Sequence, residues 1–172
     1  MKKYELTSEF VTNDFGKKLF RIKALVSFGN VKEGQLGGFI EKEDNLSHDG
    51  NAWVTGDALV ADNARVTGNA LVTDNARVTG DARVTGDARV TGDADYAVVK
   101  GFGRYFRATT FFRCVDKILR VQCGCFYGDL TQFREIVKKT HGDSKYAKEY
   151  LAIADLMELH FSDAEAKQEV SE

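Results

Sequence analysis

The chain has 172 residues, enough for one or two small domains, and its formal net charge of −2 argues against a protein that binds polyanions without specificity. No stretch approaches the ~18 consecutive apolar residues of a membrane span, and the chain does not open on a secretory signal region. The three cysteines form an odd set, so we expect reduced thiols in a cytoplasm and no membrane partner.

Residues 1–45 predict an N-terminal β cap. Residues 3–7 can pair with residues 19–26 across the polar turn at residues 13–16. In the second of these segments Phe20, Ile22 and Ala24 alternate with Arg21 and Lys23, which is typical of a half-buried strand.

Residues 46–98 contain a hexapeptide repeat close to Val-Thr-Gly-Asp-Ala-Arg. Alanine and valine alternate with arginine and threonine, so the two apolar side chains of each unit point to one face of a short strand. Gly-Asp, Gly-Asn or Asp-Asn pairs supply a corner every six residues. A corner at that step predicts a triangular coil of eighteen residues. The prediction is a mainly β chain built on a left-handed parallel β-helix, which is the fold of the hexapeptide-repeat proteins that this pattern resembles.

The step of eighteen also predicts three outer columns of side chains. Trp53, Leu71 and Arg89 form the first column, Leu59 and Arg77 the second, and Arg65 and Arg83 the third. The coil has two open ends, and terminal repeats of such arrays need covers.

Two further strings strengthen the resemblance. Gln35-Leu36-Gly37-Gly38-Phe39-Ile40-Glu41 precedes Asn45-Leu46-Ser47, and Gly50-Asn51-Ala52-Trp53-Val54 follows. Over roughly the first hundred residues the chain resembles hexapeptide-repeat proteins of phages and prophages, most of which have no assigned function.

Residues 99–161 predict a mixed ββαα module. Residues 106–113 and 118–126 are predicted strands, and Asp129 with Gln132 forms a capping box for a helix that ends at His141-Gly142. A second helix is predicted from near Ser144, and residues 162–172 are predicted to be a disordered acidic tail. The strings Cys123-Gly124-Cys125-Phe126 and Thr140-His141-Gly142-Asp143 resemble a module that recurs in phage proteins.

Three apolar residues stand at outer positions of the repeat, where polar side chains are expected. Trp53 and Leu71 fall one coil apart on one face, and Leu59 falls around the corner. Exposed apolar residues of this kind indicate a contact surface. We expect self-association into a trimer or dimer, and docking to another protein is the alternative.

Basic and aromatic residues alternate after the repeat. A binding surface for a nucleotide or a protein partner is predicted from six of them: Lys100, Arg104, Tyr105, Arg107, Arg113 and Arg120. Arginine beside an aromatic ring can stack on bases and bind phosphates. A strand pair with an aromatic core face and a solvated basic face is the alternative, and a nucleic-acid partner is less favoured.

The sequence carries no strong catalytic or metal motif. His48 is the one histidine within the repeat zone, and a hexapeptide-type acyltransferase would need it as the base. We interpret it instead as a capping residue of the first coil. Cys114, Cys123 and Cys125 lack the spacing of a zinc knuckle and read as core residues, so no metal or cofactor is predicted.

The sequence therefore predicts a non-enzymatic, phage-derived binding protein. The resemblance implies a role directed at the bacterial host, in its cytoplasm: inhibition of a defence system by blocking a protein surface or by capturing the nucleotide signal of that system. A hexapeptide-type acyltransferase and a purely structural oligomerisation scaffold are the alternatives.

Overall fold

The computed structural model describes residues 1–166 and shows a mainly β protein that ends in two helices. Three longer strands open the chain: β1 Tyr4–Thr12, β2 Lys18–Ala24 and β3 Leu36–Ile40. Seven two-residue strands follow: β4 Trp53–Val54, β5 Leu59–Val60, β6 Arg65–Val66, β7 Leu71–Val72, β8 Arg77–Val78, β9 Arg83–Val84 and β10 Arg89–Val90. The C-terminal part contains β11 Tyr96–Phe102, β12 Arg107–Arg113, β13 Leu119–Cys123, β14 Phe126–Asp129, α1 Leu130–His141 and α2 Lys145–Ala166.

The prediction of a left-handed parallel β-helix is wrong as a description of this fold, because the strands form several small sheets rather than one such helix. Strands β1, β2 and β3 are antiparallel and continue into the parallel strands β5 and β8, giving a mixed five-stranded sheet. Strands β4, β7 and β10 form a second sheet, and β6 and β9 a third. The fourth sheet, β11 to β14, is antiparallel. The N-terminal strands were predicted as a separate end cap, whereas β3 pairs in parallel with β5 and extends that sheet through β2 and β1.

Residues 52–92, here called the repeat segment, place their apolar side chains in one continuous core. Every alanine and valine of the regular units is buried, and the short strands pair in parallel at a separation of eighteen residues. Backbone hydrogen bonds join the stacked units, as from the Trp53 amide to the Ala70 carbonyl at 2.9 Å. Each unit therefore depends on its neighbours for both hydrogen bonding and burial.

The N-terminal strands cover the faces of the repeat segment that carry apolar outer residues. Strand β3 pairs with β5, and its Gly37 lies so close to the next layer that an added Cβ would stand 2.5 Å from Ile22 Cγ1 and 2.5 Å from the Val54 carbonyl oxygen. No side chain larger than hydrogen fits there without displacement. The Gly-Gly pair thus allows the N-terminal sheet to approach the repeat segment closely.

The C-terminal sheet covers the open end of the repeat segment with one face and packs on the helices with the other. Phe112 and Cys114 join the core of the repeat segment, and the backbone of Cys114 forms an isolated antiparallel β-bridge with Ala88. Phe111 and Val121 point the opposite way, into a second core that includes Phe133 of α1. This alternation follows from the period of two along β12.

The helix pair begins as the sequence predicts. The predicted capping box is confirmed: the Asp129 side chain accepts from the Gln132 amide at 2.8 Å, and the Gln132 side chain accepts from the Asp129 amide at 3.0 Å. Among residues 1–166 there is no helix with the length and apolar content needed to cross a bilayer. Helix α2 continues to Ala166, and residues 167–172 of the predicted acidic tail lie outside the described residues.

The predicted strand at residues 118–126 is wrong, because the chain reverses within it. Strand β13 ends at Cys123 and β14 starts at Phe126, and these two residues are paired across a two-residue turn. Gly124 at the first turn position has φ +60°, a conformation that glycine adopts at no steric cost. The module therefore has four strands rather than the two predicted.

Candidate anion-binding cleft

A cleft of about 620 Å³ lies between the repeat segment and the hairpin formed by β11 and β12. We call it the basic cleft, because five cationic side chains line it: Lys42, Arg65, Arg83, Lys100 and Arg107. Two carboxylates, of Asp44 and Asp81, also line it. Cations thus exceed carboxylates by more than two to one in a chain whose net charge is negative.

Stacking of the repeat units places two of these arginines side by side. Arg65 of β6 pairs directly with Arg83 of β9 in parallel register, and both side chains are exposed. Neighbouring strands lie ~4.8 Å apart. The Arg83 amide donates to the buried Thr110 hydroxyl at 3.0 Å, which fixes β9 against β12. The backbones of the two arginines are thereby fixed on one wall of the cleft, and their exposed side chains extend from it.

One lysine spans the cleft from the opposite wall. Lys100 of β11 forms an ion pair with Asp81, which also accepts from the Asn63 side-chain amide at 3.2 Å. The pKa of the Asp81 carboxyl lies below its usual value. The hydrogen bond from Lys100 is the largest cause, and the hydrogen bond from Asn63 is the second. Asp81 is therefore a neutralised anion, and Asp44 forms no ion pair within the described residues.

Arg107 is positioned by a turn on the neighbouring hairpin. A Cβ added to Gly124 would lie 2.4 Å from Arg107 Nη1, so this arginine lies directly over the glycine. The Arg107 guanidinium also lies 4.8 Å from the centroid of the Tyr105 ring, and the Arg104 guanidinium lies 5.6 Å from the same centroid. The tip of the β11–β12 hairpin is thus a basic and aromatic cluster, and Arg107 is its member that lines the cleft.

Phe106 is the aromatic residue that lines the cleft itself. Its side chain is 66% exposed, and its backbone has φ +53°. A bulky residue in the left-handed region is uncommon and costs of order 1–3 kcal/mol. The hairpin tip therefore presents an apolar ring to solvent at an energetic cost, beside a set of cations.

The structure divides the predicted basic-aromatic surface into separate places. Lys100 and Arg107 line the basic cleft, whereas Arg104 and Tyr105 are not among its lining residues and lie beside Arg107 at the hairpin tip. Arg113 does not face it: its guanidinium donates to the Phe161 carbonyl and lies over the Phe161 ring, tying the sheet to α2.

Arg120 also points elsewhere. It donates to Asp116 at 2.6 Å and lines a different cavity with Cys114 and Tyr127. Burial raises the pKa of the Cys114 thiol, which keeps it protonated at neutral pH. Arg113 and Arg120 therefore belong to the packing of the C-terminal sheet rather than to one binding surface.

The expectation that Trp53, Leu59 and Leu71 form an exposed contact surface is wrong for Trp53, which is buried, and Leu59 and Leu71 are half-buried. Trp53 is only 2% exposed, because the Phe28 ring covers it at a centroid distance of 5.4 Å. Leu59 packs with Leu19 and Phe39, and Leu71 packs against the repeat core. The outer positions are apolar because the chain's own N-terminal part covers two of them.

His48 is built into the packing of the N-terminal strands. Its Nδ1 accepts from the Lys3 amide at 3.2 Å, and its ring stacks on Tyr4 with centroids 4.4 Å apart. Nε2 lies 3.9 Å from Glu43. These contacts place His48 within the packing of the N-terminal strands, where Nδ1 accepts from the Lys3 amide and Nε2 has no hydrogen-bond partner within the described residues.

The three cysteines lie at separate positions. Cys114 is buried, Cys125 is exposed on the turn, and Cys123 accepts from the Thr109 hydroxyl at 3.2 Å. No group of three or more histidine, cysteine or acidic side chains arranged to hold a metal ion occurs within residues 1–166.

Sequence reasoning did not assign Lys42, Asp44, Arg65 or Arg83 to a site, and it placed Phe106 only among the aromatic residues that alternate with the predicted basic surface. The signal for two of them was present in the outer columns of the repeat. The columns that begin with Trp53 and Leu59 contain apolar residues, whereas the column of Arg65 and Arg83 contains none. A purely basic column marks the face that the rest of the chain leaves open. Nothing in the sequence indicated that the β11–β12 hairpin would stand opposite that face.

The chain matches no protein-family model and no curated protein at a significant level.

Proposed function

We propose that the protein is a non-enzymatic, phage-derived inhibitor of a bacterial defence system, and that it acts in the host cytoplasm by capturing a nucleotide signal in the basic cleft. The observation that carries the proposal is the concentration of cations in a concave site of a chain with negative net charge. Of the two mechanisms expected from the sequence, nucleotide capture is the one that this geometry supports better.

The charge of the cleft supports an anionic ligand. Arg65, Arg83 and Arg107 form no ion pair with any residue that the structure describes, so their guanidinium groups remain available. Arginine presents donors in a fork that matches phosphate oxygens, and such charge-assisted hydrogen bonds are about twice as strong as neutral ones.

The shape of the cleft supports a small molecule. Sites for small ligands commonly have volumes of ~300–1,000 Å³, and the basic cleft falls within that range. Its walls come from β6, β9 and the β11–β12 hairpin, and the Arg83–Thr110 hydrogen bond and the Lys100–Asp81 ion pair join them. A preformed site loses little conformational entropy on binding.

The inhibitory role depends on the resemblance of the N-terminal hundred residues to phage and prophage proteins. A protein that holds a signalling nucleotide lowers its free concentration without chemistry, provided that it is abundant and binds tightly. The predicted homo-oligomer stays a prediction, but it no longer has the exposed surface on which it was based, since Trp53 is buried and Leu59 and Leu71 are packed.

A charge reversal in the cleft tests the proposal. We expect the purified protein to bind cyclic di-AMP, and Arg83→Glu to weaken that binding by at least about tenfold, because it removes a charge-assisted hydrogen bond and adds repulsion. Arg89→Glu is the matched control, since Arg89 is an exposed arginine of the same repeat on another column. Isothermal titration calorimetry measures both affinities.

The same variants test the biological role. In bacteria that carry a defence system signalled by a cyclic dinucleotide, expression of the wild-type chain or Arg89→Glu should restore phage plaques, and Arg83→Glu should not. Binding lost equally in Arg83→Glu and Arg89→Glu would contradict the assignment of the cleft. Restoration of plaques by Arg83→Glu would favour blocking of a protein surface instead.

A further inference from the structure

We infer that the basic cleft is selective for nucleotides with at least two phosphate groups, whose base stacks on Phe106 while the Arg65–Arg83 pair binds the phosphates. This inference rests on the proposed function and specifies the chemical class of the ligand. It combines three observations: the exposed aromatic residue that lines the cleft, the paired arginines on its wall, and one carboxylate without an ion pair.

The ring supplies a stacking platform. Phe106 is held with φ +53° and is 66% exposed on the tip of the β11–β12 hairpin, where it lines the cleft rather than a core. An inorganic anion gains nothing from an apolar ring. A nucleobase stacked on an aromatic side chain gains ~1–3 kcal/mol.

The arginine pair indicates more than one phosphate. Arg65 and Arg83 are direct register partners, so their side chains leave the wall at neighbouring points ~4.8 Å apart. Arg107 stands across the cleft over Gly124. One phosphate monoester cannot use three guanidinium groups on two walls as fully as two linked phosphates can.

The carboxylates fit the sugar or the base. Asp44 lines the cleft and forms no ion pair within residues 1–166, whereas Asp81 is neutralised by Lys100. A carboxylate repels phosphate but accepts hydrogen bonds from ribose hydroxyls and exocyclic amines. A phosphate-only ligand would leave Asp44 unfavourably placed, and a nucleotide would give it a donor.

A three-ligand panel tests this selectivity. Cyclic di-AMP carries two phosphates and two bases, AMP carries one of each, and inorganic pyrophosphate carries two phosphates without a base. For the wild-type protein we expect cyclic di-AMP to bind at least about tenfold more tightly than AMP, because it contacts both arginines of the pair. Calorimetry at one fixed salt concentration measures all three affinities, since phosphate binding depends on salt.

Variants at Phe106 separate stacking from charge. Phe106→Ala should lower the affinity for cyclic di-AMP by about tenfold and leave the affinity for pyrophosphate unchanged. Phe106→Tyr should retain the affinity for cyclic di-AMP. Phe15→Ala is the matched control, because Phe15 is an exposed aromatic residue at the tip of the other long hairpin.

The outcomes distinguish the two proposals. Equal binding of AMP and cyclic di-AMP, or an equal loss of nucleotide and pyrophosphate in Phe106→Ala, would overturn the inference while leaving anion capture intact. Binding of pyrophosphate alone would overturn both the inference and the capture of a nucleotide. Absence of binding by all three ligands would overturn the proposed function as well.

Discussion

At the scale of single residues, burial decides which of the conspicuous side chains are available for binding. Trp53 looks exposed from its position in the repeat, and the structure buries it beneath Phe28. Arg83 looks like one more regular position, and the structure leaves it free on the wall of a cleft. The two residues differ in which parts of the chain pack over their outer columns, and the repeat pattern alone does not show this.

Lys3 provides a titration that reports on the packing of the N-terminal strands. It is 4% exposed, its ammonium group donates to the Ala52 carbonyl at 2.9 Å, and it lies over the Phe28 ring. Burial lowers the pKa of Lys3 to about 8, and the charge of Asp49 opposes that shift only in part.

The lowered pKa predicts how stability changes with pH. Between about pH 8 and about pH 10 the unfolded chain keeps the Lys3 proton and the folded chain releases it, so this residue makes folding more favourable as pH rises. Lys3→Met keeps an unbranched stem and removes the titration. Guanidinium unfolding at several pH values should show wild-type stability rising relative to Lys3→Met across this window. Parallel curves for the two proteins would show that Lys3 titrates normally.

At the scale of elements, close approach between sheets explains sequence features that no periodicity predicts. The Gly37-Gly38 pair lies within a strand, where glycine is normally unfavourable. An added Cβ at Gly38 would stand 2.7 Å from the Ala58 carbonyl oxygen, and Gly37 is equally confined. Gly37 is thus required by the close approach of β3 to β2 and β4, and Gly38 by its close approach to the residues that lead into β5.

Gly37→Ala should therefore destabilise the fold. The new methyl group would meet Ile22 and the Val54 backbone, and overpacking of this kind typically costs ~1–3 kcal/mol. Gly92→Ala is the matched control, because an added Cβ there meets nothing within 4 Å and its backbone is extended. In chemical denaturation, the unfolding midpoint of Gly37→Ala should be lower than that of the wild type, and the midpoint of Gly92→Ala should be nearly unchanged. Equal midpoints for Gly37→Ala and the wild type would contradict the tight packing.

The elements also show how far the sequence could be interpreted. Features that depend on residues close together in the sequence were predicted correctly. The Asp129–Gln132 capping box and the N-terminal hairpin are both present. The β-helix prediction failed because the period of six fixes how units stack on one another but not which other strands join their edges. The hairpin at Gly124 was missed because two apolar runs separated by only two residues read as one strand.

At the scale of the whole molecule, the candidate site exists only because separate parts of the chain meet. Phe112 belongs to the core of the repeat segment, whereas Phe111, its neighbour, belongs to the core with the helices. This shared strand brings the β11–β12 hairpin to the basic column of Arg65 and Arg83. The sequence predicted Lys100 and Arg107 as binding residues, but the position of the cations opposite them depends on long-range packing.

The central claim is that a nucleotide binds in the cleft between the repeat segment and the C-terminal hairpin. Its most direct test is a titration of the nitrogen-15-labelled protein with cyclic di-AMP, followed through the arginine side-chain signals in a proton–nitrogen correlation spectrum. Saturable shifts at Arg65, Arg83 and Arg107, with Arg77 and Arg89 on the other two columns unmoved, are the result we predict. Absence of shifts at millimolar ligand, or shifts centred on Arg77 and Arg89, would contradict the claim.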